Sequence, residues 1–224
     1  MSELNGIHGI NSAVLRDSVE MLYEHRPQAL VVGVAFLGIF SWVFRSLVDP
    51  VLLVLWAAGM ALMTANGLYW LSDFRRVRPL KAQDAKRHLL RYTQQAWLAG
   101  LMFGSAGWLF YAPEFGESRW LVVLLLCSLA AGTLTVYAYH VPTYLGFLVL
   151  LSIPLALRFM HSGAPGGWVA YAMMLFYVAM LARFAQRQGR TLKDALRVRH
   201  ENAALVEQLK EKTDALERAN EGKA

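Results

Sequence analysis

The chain has 224 residues, of which 56% are hydrophobic and only 17% charged, with a net charge of +6. Soluble domains carry about a quarter charged residues, and here the apolar excess lies in long unbroken blocks of the kind that cross membranes. The basic residues cluster just outside those blocks and no nucleic-acid module accompanies them, which argues against nucleic acid as a partner. The single cysteine, Cys127, leaves no intrachain disulfide, and no CxxC or Cys/His cluster offers a metal or cofactor site.

Residues 11–25 have the pattern of a short amphipathic helix. Leu15, Val19 and Leu22 share one side, while Arg16, Asp17, Glu20 and Glu24 fall mostly elsewhere, and Asn11 or Ser12 can cap it. This predicts a helix on the membrane surface, with a partner-binding element as the alternative. Residues 1–25 lack a basic start followed by an apolar core, so no cleavable signal peptide is expected.

Six apolar segments follow. The first covers residues 27–48. Asp49 and Pro50 then make a tight turn, Asp49 as the cap and Pro50 in the first turn of the second segment, which runs to Leu71. Residues 27–71 are too long to cross only once at roughly 20 residues per crossing. The third segment covers 92–112, the fourth 120–139 and the fifth 142–160, with a kink expected at Pro154. A Gly-rich stretch, 161–167, precedes a sixth segment that ends near Ala185. Small residues predict close helix packing: Ala57, Ala61 and Ala65; Gly100, Gly104 and Gly107; Ser128 and Gly132.

Orientation follows from the basic residues. The loop 72–91 holds Arg75, Arg76, Arg78, Lys81, Lys86, Arg87 and Arg91 against Asp73 and Asp84. The positive-inside rule makes it cytoplasmic, which places both termini in the cytoplasm. Arg183, Arg187, Arg190 and Lys193 after the sixth segment agree, and Trp42, Trp70, Trp108, Trp120 and Trp168 suit interfacial belts.

From Leu192 the composition turns to Ala, Leu, Glu, Lys and Arg with a seven-residue pattern. Leu192, Arg199, Val206, Thr213 and Asn220 take a positions, and Ala195, Asn202, Leu209 and Leu216 take d positions. The polar seam residues weaken the coil, as a two-state relay needs; plain dimerisation is the alternative. His200 falls at position b with no following proline and reads as part of a solvated face. No catalytic fingerprint occurs anywhere, so no enzyme activity is expected of this chain. The helical pattern is still running at Ala224, which predicts an output domain beyond it.

The tail resembles the linker that leads into the dimerisation and phosphotransfer domain of bacterial hybrid sensor histidine kinases. Leu196, Arg197, Glu201, Asn202, Ala219, Asn220 and Lys223 carry the likeness. The preceding region, with Leu22-Tyr23, Ala130-Ala131-Gly132 and Pro142 to Pro154, resembles the input domain of the same kinases, one branch of which senses diffusible cis-2-unsaturated fatty acids. The resemblance implies an all-α bundle of about six spans in the bacterial inner membrane. Its parts are an N-terminal segment (1–26), the input domain (27–186) and a cytoplasmic coiled-coil linker (187–224) that pairs two copies. The implied ligand is a small, fatty-acid-like signal entering from the bilayer. Its carboxylate calls for a cation at the outer interface, for which the candidates are Arg45, Arg119, Arg158 and His161. Polar residues within or ending spans form a second set: Asn66, Tyr137, Tyr139 and His140. The expected relay residues are Leu192, Ala195, Arg199, Asn202, Val206, Leu209, Thr213 and Leu216. Input to a diguanylate cyclase, or a small transporter or channel, are the competing readings.

Overall fold

The computed structural model describes residues 17–76, 82–111, 119–137, 139–161 and 166–221, and every regular element among them is helical. We number these α1 (17–24), α2 (Arg26–Phe44), α3 (Pro50–Arg76), α4 (Ala82–Leu109), α5 (Arg119–Tyr137), α6 (Val141–His161) and α7 (Gly167–Glu221). The expected helix over 11–16, the loop residues Arg78 and Lys81, and Lys223 lie outside the described residues, as do the side chains of Arg119, Leu216 and Asn220.

Five helices are long and apolar enough to cross a membrane: Asp17–Phe44, Pro50–Arg76, Trp120–Tyr137, Val141–His161 and Gly167–Thr213. Their outward faces carry large apolar side chains such as Val31, Leu62, Leu124 and Phe176. Such faces are stable against lipid and costly against water, so these features indicate a multi-pass membrane protein. Residues 27–71 do form two helices. Asp49 Oδ1 accepts hydrogen bonds from the amides of Val51 (2.7 Å) and Leu52 (3.3 Å), capping α3 one residue before Pro50.

The sixth long helix, α4, is less apolar for a structural reason. It packs most extensively on α6. Several of its polar groups are answered by protein. Thr93 Oγ1 lies 2.7 Å from Thr143 Oγ1, and Ser105 Oγ receives the indole N–H of Trp56 at 3.2 Å. Glycines let its backbone touch that of α6. A Cβ on Gly104 would stand 2.6 Å from the Leu150 carbonyl oxygen and 2.9 Å from Leu151 Cα, and one on Gly100 would stand 2.6 Å from the Phe147 oxygen. The other small-residue stripes lie elsewhere. Ala61 and Ala65 are exposed, and a Cβ on Gly132 meets nothing within 4 Å.

Helices extend well past the apolar blocks. α3 continues to Arg76 and α4 begins at Ala82, so much of the basic stretch 72–91 is helical. Asp84 in the first turn of α4 suits that terminus. α1 uses its apolar side against protein: Val19, Leu22 and Tyr23 are buried, with Tyr23 stacked on Phe74 at 3.9 Å between ring centres. The break between α1 and α2 falls at His25, just ahead of Pro27 in the first turn of α2.

Candidate functional site

The two ends of the bundle differ. At the end where α2 finishes, aromatic side chains fill the space between helices. Phe40 packs on Phe44 (4.7 Å), Trp56 (5.1 Å) and Phe110 (5.3 Å). The cations here lie outside this cluster. Arg45 is exposed and lies over the Trp42 ring at 3.8 Å. Arg158, half-buried, donates from Nε to the Tyr111 carbonyl at 2.9 Å and faces the Trp108 ring at 5.6 Å. His161 is exposed, with Nδ1 2.8 Å from the Leu157 carbonyl and its ring edge-on to Trp108 at 6.2 Å. Arg158 and His161 thus share one tryptophan. Arg119 opens α5.

The opposite end holds a polar cluster around Arg26. This residue begins α2 and is only 5% exposed. Its guanidinium lies 5.2 Å from the ring centres of both Tyr23 and Tyr92. Its Nη2 donates to Gln95 Oε1, and its Nη1 is buried with no hydrogen-bond partner. Gln95 is held from its other side, where Nε2 donates to the Met63 carbonyl at 3.3 Å. Gly67 makes the space for this, since a Cβ there would stand 2.7 Å from Gln95 Nε2. A cavity of about 80 Å3 adjoins the guanidinium. Its walls include Leu30, Met63, Tyr92, Gln95, Ala99 and Tyr137, and among the described residues no acidic one lines it.

Of the polar residues expected near spans, Tyr137 belongs to this cluster. It is buried, edge-on to Tyr92 at 6.0 Å. Tyr139 stacks obliquely on His25 at 5.5 Å, and His140 Nδ1 lies 2.7 Å from Thr143 Oγ1, extending the contact to Thr93. Asn66 is exposed on α3 and stands apart from the cluster. His88 is buried beside Tyr23 and Phe74 with its Nδ1 unpaired, and burial pushes its pKa below the ordinary histidine value, helped by Arg91. Burial likewise lowers His140, helped by Lys193.

Arg26 and Gln95 are absent from the residues the sequence singles out. Arg26 stands directly before an apolar run and reads as a span boundary. The usable signal is on α4: Tyr92, Gln95, Ala96 and Ala99 recur at helical spacing, which puts an amide on the face that becomes the cavity wall.

The relay positions lie along α7. Leu192 and Ala195 help to line a groove with Thr135, Tyr139, Phe184 and Arg187. Arg199, Asn202, Val206, Leu209 and Thr213 are exposed beyond it. Compared with known proteins, the chain matches no family model, no curated protein and no solved structure.

Proposed function

We propose that the chain is the six-span membrane input domain of a bacterial sensor kinase, detecting a small lipophilic acid and passing the event along α7. The observation that carries this reading is the continuity of α7, one helix of 55 residues from Gly167 to Glu221. At 1.5 Å per residue it spans about 80 Å, against the ~30 Å hydrocarbon core of a bilayer. The Tyr177 hydroxyl donates to the Cys127 carbonyl on α5 at 2.7 Å, so the rod is gripped inside the bundle and runs on outside it.

In this reading α4 is the remaining span, with Thr93, Gln95 and Ser105 bonded within the protein. The end bearing Arg26 faces the cytoplasm, because Arg75, Arg76, Arg91, Arg187 and Lys193 gather there, and the protein resides in the inner membrane. Val206 and Leu209 stay exposed on the tail and suit pairing with a second copy. The chain has no catalytic role of its own here, and nucleic acid is no partner.

Spin labels test the relay. Cysteines replace Ala195, Asn202 or Leu209 in a Cys127→Ala background, in lipid nanodiscs. Adding a medium-chain cis-2-unsaturated acid is expected to shift the distances between labels on paired copies. Unchanged distances at all three positions overturn the reading.

A further inference from the structure

We propose that the cavity beside Arg26 is a carboxylate-binding site. Arginine stays protonated in proteins, so the buried guanidinium is a fixed positive charge. A buried charge of this kind needs several kcal/mol of compensation from a counter-charge and hydrogen bonds. The protein supplies part of it. Gln95 accepts from one nitrogen, and the faces of Tyr23 and Tyr92 face the cation. All three of these groups are neutral, Nη1 is left without a partner, and among the described residues the cavity that Arg26 lines has no acidic wall. A negative charge with an oxygen at hydrogen-bond reach of the guanidinium would complete this compensation.

The cavity also defines what brings that charge. At about 80 Å3 it has room for a carboxylate or for water. Apart from Arg26, Gln95 and the two tyrosines its lining is apolar: Ala29, Leu30, Met63, Ala96 and Ala99. That combination suits a single planar oxyanion carried on carbon. Gln95 matters as a positioning residue. Its amide is fixed between Arg26 and the Met63 carbonyl, and this orients the guanidinium with Nη1 left free.

Carboxylate chemistry has two sources, a small free acid or the head of an acid with an alkyl tail. The site lies at the opposite end of α2 from Arg45, so it is a different place from the arginines beside Trp42 and Trp108. It follows from the local charge balance and does not depend on any movement of the tail.

The test measures binding of acetate and of decanoate to the full chain in nanodiscs of uncharged lipid, by titration calorimetry and by the rise in unfolding temperature. Saturable binding of at least one acid is expected. Acetate alone identifies a small free acid, and decanoate binding more tightly identifies a tailed one. Ala99→Met fills the cavity while keeping the charge, and the paired change Arg26→Met with Gln95→Leu removes the charge and its partner together. Each is expected to weaken binding at least tenfold. The proposal is overturned by no saturable binding to the parent protein, which means water alone fills the cavity, or by undiminished binding in either cavity variant. Failure here leaves the spin-label result untouched, so the two readings are separable.

Discussion

Arginines at the two ends of this bundle meet aromatic rings in opposite ways. Arg45 and Arg158 lie over Trp42 and Trp108 at the edge of the protein, the common arrangement in which a long cationic side chain reaches for the interface. Arg26 turns inward and is enclosed between Tyr23 and Tyr92. The difference comes from what surrounds each residue. At the Arg45 end, Phe40, Phe44, Trp56 and Phe110 fill the interior, and Arg158 finds its acceptor, the Tyr111 carbonyl, beside that cluster. At the other end, Gln95 on α4 and the absent side chain at Gly67 make room for a polar contact below the surface. Arg26 is held inside where α4 provides a side-chain acceptor, whereas Arg45, with only a ring beside it, stays exposed.

Unfolding measurements in detergent break or sharpen this contrast. Gln95→Leu removes the one amide acceptor of a buried charge and is expected to cost about 3 kcal/mol, the scale seen when a buried charge loses its partner. Arg26→Met combined with Gln95→Leu replaces both polar partners, and an anion-free sample is expected to gain about 2 kcal/mol over the parent protein. A loss in the double variant of the same size as in the single one would show that Arg26 is no electrostatic burden. Arg158→Met leaves the Tyr111 carbonyl without its charged donor and should cost about 1 kcal/mol. Arg45→Met should change stability by less than about 0.5 kcal/mol, as for an exposed surface residue.

Acidity distinguishes the ends further. His88 and His140, both near the Arg26 end, have pKa values lowered by burial. For such groups the unfolded chain binds the extra proton first. Their contribution is complete above the ordinary histidine pKa of ~6.5 and is lost as pH falls below it. Unfolding temperature should therefore drop between neutral pH and about pH 5, and His88→Gln with His140→Gln should flatten that slope. An unaltered slope assigns the pH dependence to other groups.

Much of the helical plan is legible in the chain itself. The helical nature of the apolar blocks and the Asp49-Pro50 turn are local signals, and the structure repeats them. What the sequence hides depends on which helix faces which. Three stripes of small residues look equivalent on paper. Only Gly100, Gly104 and Gly107 meet a neighbouring backbone or Cβ closely, while Ala61 and Ala65 point outward. The polar composition of α4 likewise depends on partners such as Thr143 on α6 and Trp56 on α3. The same holds for the candidate site. Tyr137 is recognisable as a polar group near the end of a span. Arg26 and Gln95 are 69 positions apart, and nothing local links them.

The glycine contact between α4 and α6 also governs what can move. Where Gly104 meets Leu150 and Leu151, no side chain separates the two backbones, so neither helix can slide without dragging a carbonyl across its neighbour. The pair therefore behaves as a keel. Any displacement begun in the Arg26 cavity must be taken up by α2, α3 and α5, whose residues form its other walls, and α5 is the helix that the Tyr177 hydroxyl of α7 holds.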